Sequence, residues 1–449
     1  MSDFAAQLCA AGMNAKTSLN KASLLHRLSG ELAAIRGEEP SSRCVFFVPG
    51  RVEFLGKHTD YAGGRSIVCA IDRGICLTAA PRADAHIRLL DVGLSSTVSF
   101  AFDASVEPSP GHWSNFPMTV ACRMARDFPG RCIGADIVFA SDLPRASGMS
   151  TSSALIVAIF FALAEFNALS QRDDYNRAIA CREDLATYIA AIENGSSFGA
   201  FPGGTGVGTH GGSEDHIAIL CSCAGFLRQY SYCPARFEKE IRFPAGHAFI
   251  IGVSGVKADK TGDARVAYNR ASGTARKILE LWKANTGRQD SSLAAAIASH
   301  SGAAVQLRQI LRESHDAEFP ANALLSRLEQ FIEESNDIVP SAAEAFESGN
   351  FTRLGPLCDR SQALAEALLA NQVPETVELA RSARELGAVA ASAFGAGFGG
   401  SVWALVQSDC AEEFRGAWAE RYHRRFAERA EASEFFVSQA GPGLVHLHS

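Results

Sequence analysis

A loop of small residues near the middle of the chain joins two apolar segments of different pattern. Before the loop, Ile133, Ala135, Ile137 and Phe139 alternate with other residues, which predicts a strand with one buried face. After it, residues 154–164 form an unbroken apolar run, which is too short to cross a bilayer and predicts a buried helix. The chain must therefore place a strand, a tight loop and a helix N-terminus in one core.

The loop itself is suited to an anion. Residues 142–155 are Asp-Leu-Pro-Arg-Ala-Ser-Gly-Met-Ser-Thr-Ser-Ser-Ala-Leu. Small side chains let backbone N–H groups close around a phosphate, and the helix dipole adds a positive end. The hydroxyls over 150–153 can also donate to phosphate or ligate Mg²⁺. A serine-rich helix cap without a ligand is the alternative, and the Gly-Lys-Ser/Thr of a P-loop is absent from the sequence.

Length and composition bound the class of protein. A chain of 449 residues has room for two or three domains, and 47% hydrophobic with 20% charged residues is typical of a globular protein. The net charge of −7 argues against nucleic acid as a partner. The first twenty residues lack a sustained apolar core, so we expect neither a signal peptide nor a membrane anchor. Twelve scattered cysteines without metal-type pairs favour a reducing, cytoplasmic location.

Patterning along the chain predicts a mixed α/β protein. We expect an N-terminal helical extension over 1–40, a first domain over 41–245 and a second over 246–449. The Pro-Gly pair at 49–50 is expected to break the first strand. The second half is expected to be mostly helical over about 262–387, with short strands after it.

A second loop is unusually rich in glycine. Eight of the twenty residues over 194–213 are Gly, and the loop lies between the acidic residues Glu193 and Asp215. A loop this long inside a compact domain is usually functional or disordered. It is either a lid that excludes water from a site or an inert surface loop.

Three segments, 49–64, 142–155 and 392–400, together closely resemble the signature motifs of the GHMP kinases. The first, Pro-Gly-Arg-Val-Glu-Phe-Leu-Gly-Lys-His-Thr-Asp-Tyr-Ala-Gly-Gly, is similar to the galactokinase signature Gly-Arg-Val-Asn-Leu-Ile-Gly-Glu-His-Thr-Asp-Tyr-Asn-Gly-Gly. The resemblance covers most of the chain in order and spacing. It implies an α+β fold of two domains with the active site in the cleft between them.

The resemblance also implies ATP and Mg²⁺ as cofactors. It assigns the metal to Ser152 and Glu193. The nucleotide phosphates are assigned to the central loop, with support from the third motif, at Ser147, Gly148, Met149, Ser150, Thr151, Ser152, Ser153 and Gly397.

Two further positions match the catalytic residues of the family. Asp215 matches its catalytic Asp, and Arg51 matches the Arg beside it. Phosphoryl transfer depends on positioning and charge neutralisation. A carboxylate can accept the proton of a sugar hydroxyl, and a neighbouring Arg keeps it ionised and offsets charge on the transferring group. A buried Arg–Asp pair that only holds two strands is the alternative.

Substrate binding is implied at His58, Asp60, Gly212 and Lys57, and Lys57 departs from the family because galactokinases carry Glu there. A cationic donor suits a carboxylate, so a uronic acid such as galacturonate is one possible substrate. In the alternative, the flexible Lys57 stem turns to solvent or pairs with a nearby Glu, and the sugar is neutral.

The sequence therefore predicts an ATP-dependent kinase that phosphorylates the anomeric hydroxyl of galactose or a closely related monosaccharide. The alternatives are a galacturonate kinase, a non-catalytic ATP and sugar sensor, and a kinase of another alcohol such as mevalonate or homoserine. Partners are expected to be the sugar and ATP, with no nucleic acid or membrane. The oligomeric state, the nucleotide base and the place of a sugar-contacting Tyr near 264–268 stay open.

Overall fold

The computed structural model describes residues 3–258 and 262–448. Within these residues the α-helices, labelled α1 to α15 in chain order, are Asp3–Ala10, Ala15–Arg36, Asn115–Asp127, Thr151–Phe166, Asp173–Ala178, Arg182–Asn194, Glu214–Cys221, Gly262–Thr286, Leu293–Ala298, Ala303–Arg312, Ala321–Glu333, Val339–Glu347, Leu354–Leu364, Pro374–Glu385 and Ala411–Arg425. The strands, labelled β1 to β13, are Cys44–Leu55, Arg65–Pro81, His86–Asp91, Ser96–Ala101, Ala135–Ser141, Phe226–Ser231, Arg236–Arg242, His247–Val253, Ala390–Ala393, Ser401–Gln407, Glu434–Ser438, Ala440–Gly441 and Val445–Leu447.

The first sheet is built on two long strands. The main strand order is β13-β1-β2-β5-β3-β4, and β6, β7 and β12 attach beside β2. The pairs are antiparallel except for β3 with β5. Every residue of β1 is buried, so both faces of this strand are covered. The helix α4, which follows the central loop, packs against β1 and β2 as the apolar run predicts.

The predicted N-terminal helices cover the other face of that sheet. Leu25, Leu28 and Leu32 of α2 are fully buried in one cluster with Val45 and Phe47 of β1. Each buried leucine contributes about 2 kcal/mol. This packing also corrects the expectation that β5 has one buried face, because α2 covers one side of β5 and α4 lies on the other.

The predicted break at Pro49 and Gly50 is wrong. The strand β1 continues through both residues with a shift of register between Pro49 and Arg51. Opposite the shift, a Cβ atom at Gly74 would collide with the carbonyl oxygen of Val48, so the strands approach closely only because Gly74 has no side chain. A bulge of this kind absorbs the Pro-Gly pair and redirects the residues that follow.

The second sheet is smaller and fully antiparallel, in the order β11-β8-β10-β9. Helices α14 and α15 cover one face, with Trp418 fully buried between them and the sheet. The mostly helical segment predicted over about 262–387 is confirmed, and it lies between β8 and β9 of this sheet. The last strands, β12 and β13, return to pair with β2 and β1 of the first sheet, which the sequence did not indicate. The domain boundaries remain a prediction.

Over the described ranges, no helix combines the length and apolar character needed to cross a membrane.

Candidate active site

The three motif-bearing segments meet at a cavity of about 480 Å³. Strand β1, the central loop and the start of α7 form part of its wall. Helix α8 and the loop after β9, which come from the second half of the chain, complete it. The cavity therefore lies between the two sheets, in agreement with the two-domain architecture that the resemblance implies.

Arg51 and Asp215 form an ion pair at the cavity wall. The Nε and Nη2 atoms of Arg51 lie 2.8 Å and 2.7 Å from Oδ1 of Asp215, and its Nη1 donates to the carbonyl of Gly148 at 2.5 Å. Burial lowers the pKa of Arg51, but the charges of Asp215, Glu214 and Glu53 outweigh it and raise the pKa above its usual value. Asp215 lies in the first turn of α7, where the helix dipole favours a carboxylate. The pair is a fixed cation and carboxylate at the cavity wall.

Glu193, at the end of α6, lies beside this pair. The hydroxyl of Ser153 donates to Glu193 Oε2 at 2.8 Å and lies 3.3 Å from Asp215 Oδ2, and His216 Nε2 lies 3.1 Å from Glu193 Oε2. Ser153 is fully buried, whereas Ser152 lines the cavity. Hydroxyl and carboxylate oxygens are ligands that Mg²⁺ accepts, so this donor set fits the metal.

Those oxygens alone do not complete a metal site. Across residues 3–258 and 262–448 there is no group of three His, Cys, Asp or Glu residues placed to hold a metal ion. A cation beside Glu193 would take further ligands from phosphate and water, as Mg²⁺ does at kinase sites.

The central loop turns its small residues towards the cavity. Ser147, Gly148, Ser150, Thr151 and Ser152 line it, while Met149 is buried beneath the loop. Within the described part of the chain, the buried hydroxyl of Ser150 has no hydrogen-bond partner. A buried hydroxyl normally has a partner, so a ligand oxygen at this point fits the loop.

The third motif contributes through different residues from the one expected. Gly395 and Ala396 line the cavity. Gly397 lies instead against Asn371 with a φ of 67°, and a Cβ atom there would collide with the Asn371 carbonyl. Gly397 therefore shapes the turn, and its assignment to the nucleotide remains a prediction.

Part of the cavity wall is apolar. Trp113 lies edge-on to Phe139 with 5.9 Å between ring centroids. Leu94, Phe116 and Leu155 are further apolar side chains in the lining. Sequence reasoning missed this group, because apolar residues that line a cavity have the same pattern as core residues. Flat, apolar side chains in a cavity wall suit a nucleotide base.

The predicted sugar-binding residues His58, Asp60 and Gly212 also line the cavity. His58 Nδ1 lies 2.7 Å from the Tyr61 hydroxyl, and Asp60 Oδ2 accepts from the backbone N–H of Glu214 at 3.2 Å. Gly212 packs against Asp60, where a Cβ atom would collide with the carboxylate. The ring centroid of Tyr268 lies 5.2 Å from that of His58, and Tyr268 lines the cavity. Its role as the sugar-contacting tyrosine remains a prediction.

Lys57 is the predicted substrate residue that the structure does not bring to the cavity. Its side chain is 1% exposed and is absent from the cavity lining. The ammonium group donates to Ser392 Oγ at 2.6 Å and to Ser361 Oγ at 3.1 Å. Ser361 in turn donates to the buried Glu334 at 2.9 Å. Lys57 therefore neither turns to solvent nor pairs directly with a nearby Glu.

Two carboxyl groups that the sequence analysis did not assign to the site line the cavity instead. Glu53 and Glu214 are both buried, and the carboxyl of Glu214 donates a hydrogen bond to Glu53. Burial, followed by the charges of Glu53 and Asp60, raises the pKa of Glu214 well above its usual value. Burial also raises the pKa of Glu53. The one available signal was position, because Glu53 follows Arg51 by two residues on one strand.

The glycine-rich loop forms a wall of the cavity. Val207, Thr209, Gly211 and Gly212 line it. Asn194 Nδ2 donates to the Gly211 carbonyl at 2.9 Å from one side, and Asn269 of α8 binds the backbone of the loop from the other. The loop is thus anchored to both halves of the chain, and its role as a moving lid remains a prediction.

Family models match the chain in three separate stretches. The galactokinase galactose-binding signature matches residues 33–81, the GHMP kinase N-terminal domain matches 115–204, and the GHMP kinase C-terminal domain matches 342–424. They follow one another in the same order as the motifs that surround the cavity. The chain is a galactokinase-like member of the GHMP kinase family. Membership makes it a phosphotransferase with an alcohol group as acceptor and implies ATP as the donor.

Relatives of this GHMP kinase align over nearly its whole length. It is 28% identical over 401 residues to the galactokinase of Roseiflexus sp. (strain RS-1), covering 88% of this chain and 91% of the relative. It is 27% identical over 414 residues to the galactokinase of Chloroflexus aggregans, covering 89% and 93%.

Solved structures confirm the fold. The galactokinase of Lactococcus lactis, crystallised with galactose, superposes with a TM-score of 0.75 at 23% identity and covers 94% of this chain and 99% of that one. The mevalonate kinase of Methanococcus jannaschii superposes with a TM-score of 0.54 at 13% identity, covering 89% and 99%.

Proposed function

We propose that the chain is an ATP-dependent sugar kinase that phosphorylates the anomeric hydroxyl of galactose or a closely related monosaccharide. The observation that carries this proposal is the contact of Arg51 with Asp215 beside Ser153 and Glu193 in a single cavity. The galactokinases among its relatives support the choice of a sugar as acceptor.

The transfer step follows from this geometry. Asp215 accepts the proton of the sugar hydroxyl while the sugar oxygen attacks the γ-phosphorus of ATP, and the bond to the β–γ bridging oxygen breaks to release ADP. Arg51, held by two contacts to Asp215, keeps that carboxylate in place and offsets negative charge as the phosphoryl group moves.

The central loop would hold the phosphates, because Ser150, Thr151 and Ser152 line the cavity at the N-terminus of α4. Glu193, with Ser152 or Ser153, would hold Mg²⁺. That ion supplies charge neutralisation on the phosphates.

The position of Lys57 weakens the case for a uronic acid, because its ammonium group is directed to Ser361 and Ser392 rather than into the cavity. The intact set of Arg51, Glu193 and Asp215 weakens the case for a non-catalytic sensor. A cytoplasmic location remains a prediction from composition.

ADP release from ATP and Mg²⁺ tests the proposal with galactose, galacturonate, glucuronate, N-acetylgalactosamine, arabinose and mevalonate as acceptors. We expect galactose or a neutral relative to be the preferred acceptor, with Asp215→Asn as the inactive control. Preference for a uronic acid or for mevalonate would refute the choice of acceptor. Tight ATP and sugar binding without turnover would establish a sensor instead.

A further inference from the structure

We infer that Glu53 contacts the substrate and determines specificity, accepting a hydrogen bond from a sugar hydroxyl and excluding sugars that carry a carboxylate. This inference rests on the proposed function, which it deepens by naming the class of sugar.

Glu53 faces the same cavity as the catalytic pair. It follows Arg51 by two residues on β1, so both side chains project from one face of the strand. Both line the cavity, and Gly395 lies directly against the carboxylate, where a Cβ atom would collide with it. The absence of a side chain at Gly395 therefore makes room for the Glu53 carboxylate.

The carboxylate of Glu53 is only partly satisfied. The side chain is 4% exposed, and among the residues that the structure describes its Oε1 atom has no hydrogen-bond partner. Glu214 provides a hydrogen bond to the carboxylate. A buried carboxylate oxygen left without a donor is costly, and a sugar hydroxyl in the cavity would supply one.

Within residues 3–258 and 262–448, Glu53 forms no ion pair that would explain a charged residue at this position. The guanidinium of Arg51 is directed to Asp215 and to the Gly148 carbonyl. The ammonium group of Lys57 is directed to Ser361 and Ser392. Both cations lower the pKa of Glu53 through space, against the larger effect of burial. Arg51 and Lys57 thus favour the ionised form of Glu53, and neither of them donates a hydrogen bond to its Oε1 atom.

The departure at Lys57 is matched by a second one at Glu53. The galactokinase signature has Asn at the position of Glu53 and Glu at the position of Lys57. In this chain the carboxylate belongs to Glu53 on β1, and position 57 carries a lysine whose ammonium group is buried against Ser392. This chain thus has a carboxylate at the cavity, but it comes from position 53 rather than from position 57, where the galactokinase signature has its Glu.

The surroundings of Glu53 discriminate between neutral and acidic sugars. Asp60 lines the same cavity, and no lysine belongs to its described lining. A hydroxyl can donate to Glu53, whereas a substrate carboxylate brings like charges together in a desolvated space. We expect galacturonate to bind at least about 100-fold more weakly than galactose.

The test compares the wild type with Glu53→Gln, which keeps the shape of the side chain and removes its charge. The control is Glu375→Gln, a buried carboxylate on α14 that binds Arg429 away from the cavity. Steady-state kinetics give KM and kcat for galactose and the inhibition constant of galacturonate. Calorimetry gives the binding of both sugars.

We expect Glu53→Gln to raise the KM for galactose about 10- to 100-fold, with a smaller change in kcat, and to reduce the preference over galacturonate at least about tenfold. For the control Glu375→Gln, the KM and kcat for galactose and the inhibition constant of galacturonate should stay within about twofold of the wild-type values. An unchanged KM and preference in a folded Glu53→Gln protein overturns the inference. So does wild-type protein that binds galacturonate as tightly as galactose, a result that does not depend on whether the variant folds.

The same experiment distinguishes a failure of the proposed kinase activity from a failure of the role inferred for Glu53. If no sugar is phosphorylated by the wild type, the proposed function fails. Calorimetric binding of galactose to the wild type and to Glu53→Gln still decides the role of Glu53, since weaker binding to the variant supports the contact and equal binding overturns it.

Discussion

The ammonium group of Lys57 lies 2.6 Å from the hydroxyl of Ser392. This contact joins the first motif to the start of the third motif, which lies on strand β9. The contact thus links the two sheets on either side of the cavity. Lys57 acts on the site by holding its walls together, which is a different role from the one its position in the signature suggested.

Replacing Lys57 by Met should lower the free energy of unfolding by about 2–4 kcal/mol, because two hydrogen bonds from a buried charged donor are lost. Urea unfolding measures the change, and Lys16→Met, an exposed position on α2, is the control. The ratio of galactose to galacturonate turnover should stay the same. A shift of that ratio with unchanged stability would instead make Lys57 a substrate residue.

Asp215→Asn should reduce kcat for the sugar about 10²- to 10⁴-fold, because the amide cannot accept the proton of the attacking hydroxyl. The KM for ATP should change little, since the amide oxygen of the variant can still accept the hydrogen bond that Arg51 donates to Asp215 Oδ1. Stopped assays of ADP release measure both constants. Turnover close to that of the wild type would show that Asp215 is not the base.

Glu193→Gln should raise the Mg²⁺ concentration that gives half-maximal activity about tenfold or more, because a charged oxygen ligand is replaced by a neutral one. Titration of Mg²⁺ at fixed ATP measures this value. Glu183→Gln, on the same helix α6, is the matched control. Equal Mg²⁺ requirements in both variants would remove Glu193 from the metal site.

Glu214→Gln should stabilise the protein more at pH 8 than at pH 5. Burial, with the charges of Glu53 and Asp60, raises the pKa of the native carboxyl well above its usual value, so the native state binds more protons than the unfolded state. Its contribution to stability is therefore lost as the pH rises, and the neutral amide avoids that loss.

The difference between variant and wild type should grow by about 1 kcal/mol or more between the two pH values, measured by urea unfolding. Equal differences at pH 5 and pH 8 would mean that Glu214 titrates alike in the native and unfolded states.

The periodicity of apolar residues in the sequence correctly predicted the secondary structure around the central loop. The strand, loop and helix around the central loop follow from apolar periodicity and small residues, and α4 forms as expected. The break at Pro49 was wrong because a register shift against Gly74 accommodates it. The strands β12 and β13 were missed because they are very short and pair with residues hundreds of positions away.

The motif residues of the site were predictable, but the directions of their side chains were not. Lys57 was recognised as a departure, yet its direction depends on Ser361 and Ser392, which lie over 300 residues further along the chain. Glu53 was not recognised, because a carboxylate on a strand commonly faces solvent. Trp113 gave no signal, since its apolar character suits a core as well as a cavity.

The most direct test of the central claim is to identify the product by nuclear magnetic resonance after incubation of the purified protein with galactose, ATP and Mg²⁺. The account predicts one ADP for each sugar phosphate, with the phosphorus coupled to the anomeric proton of the sugar. Phosphate on another carbon, or release of inorganic phosphate without a sugar phosphate, would contradict it.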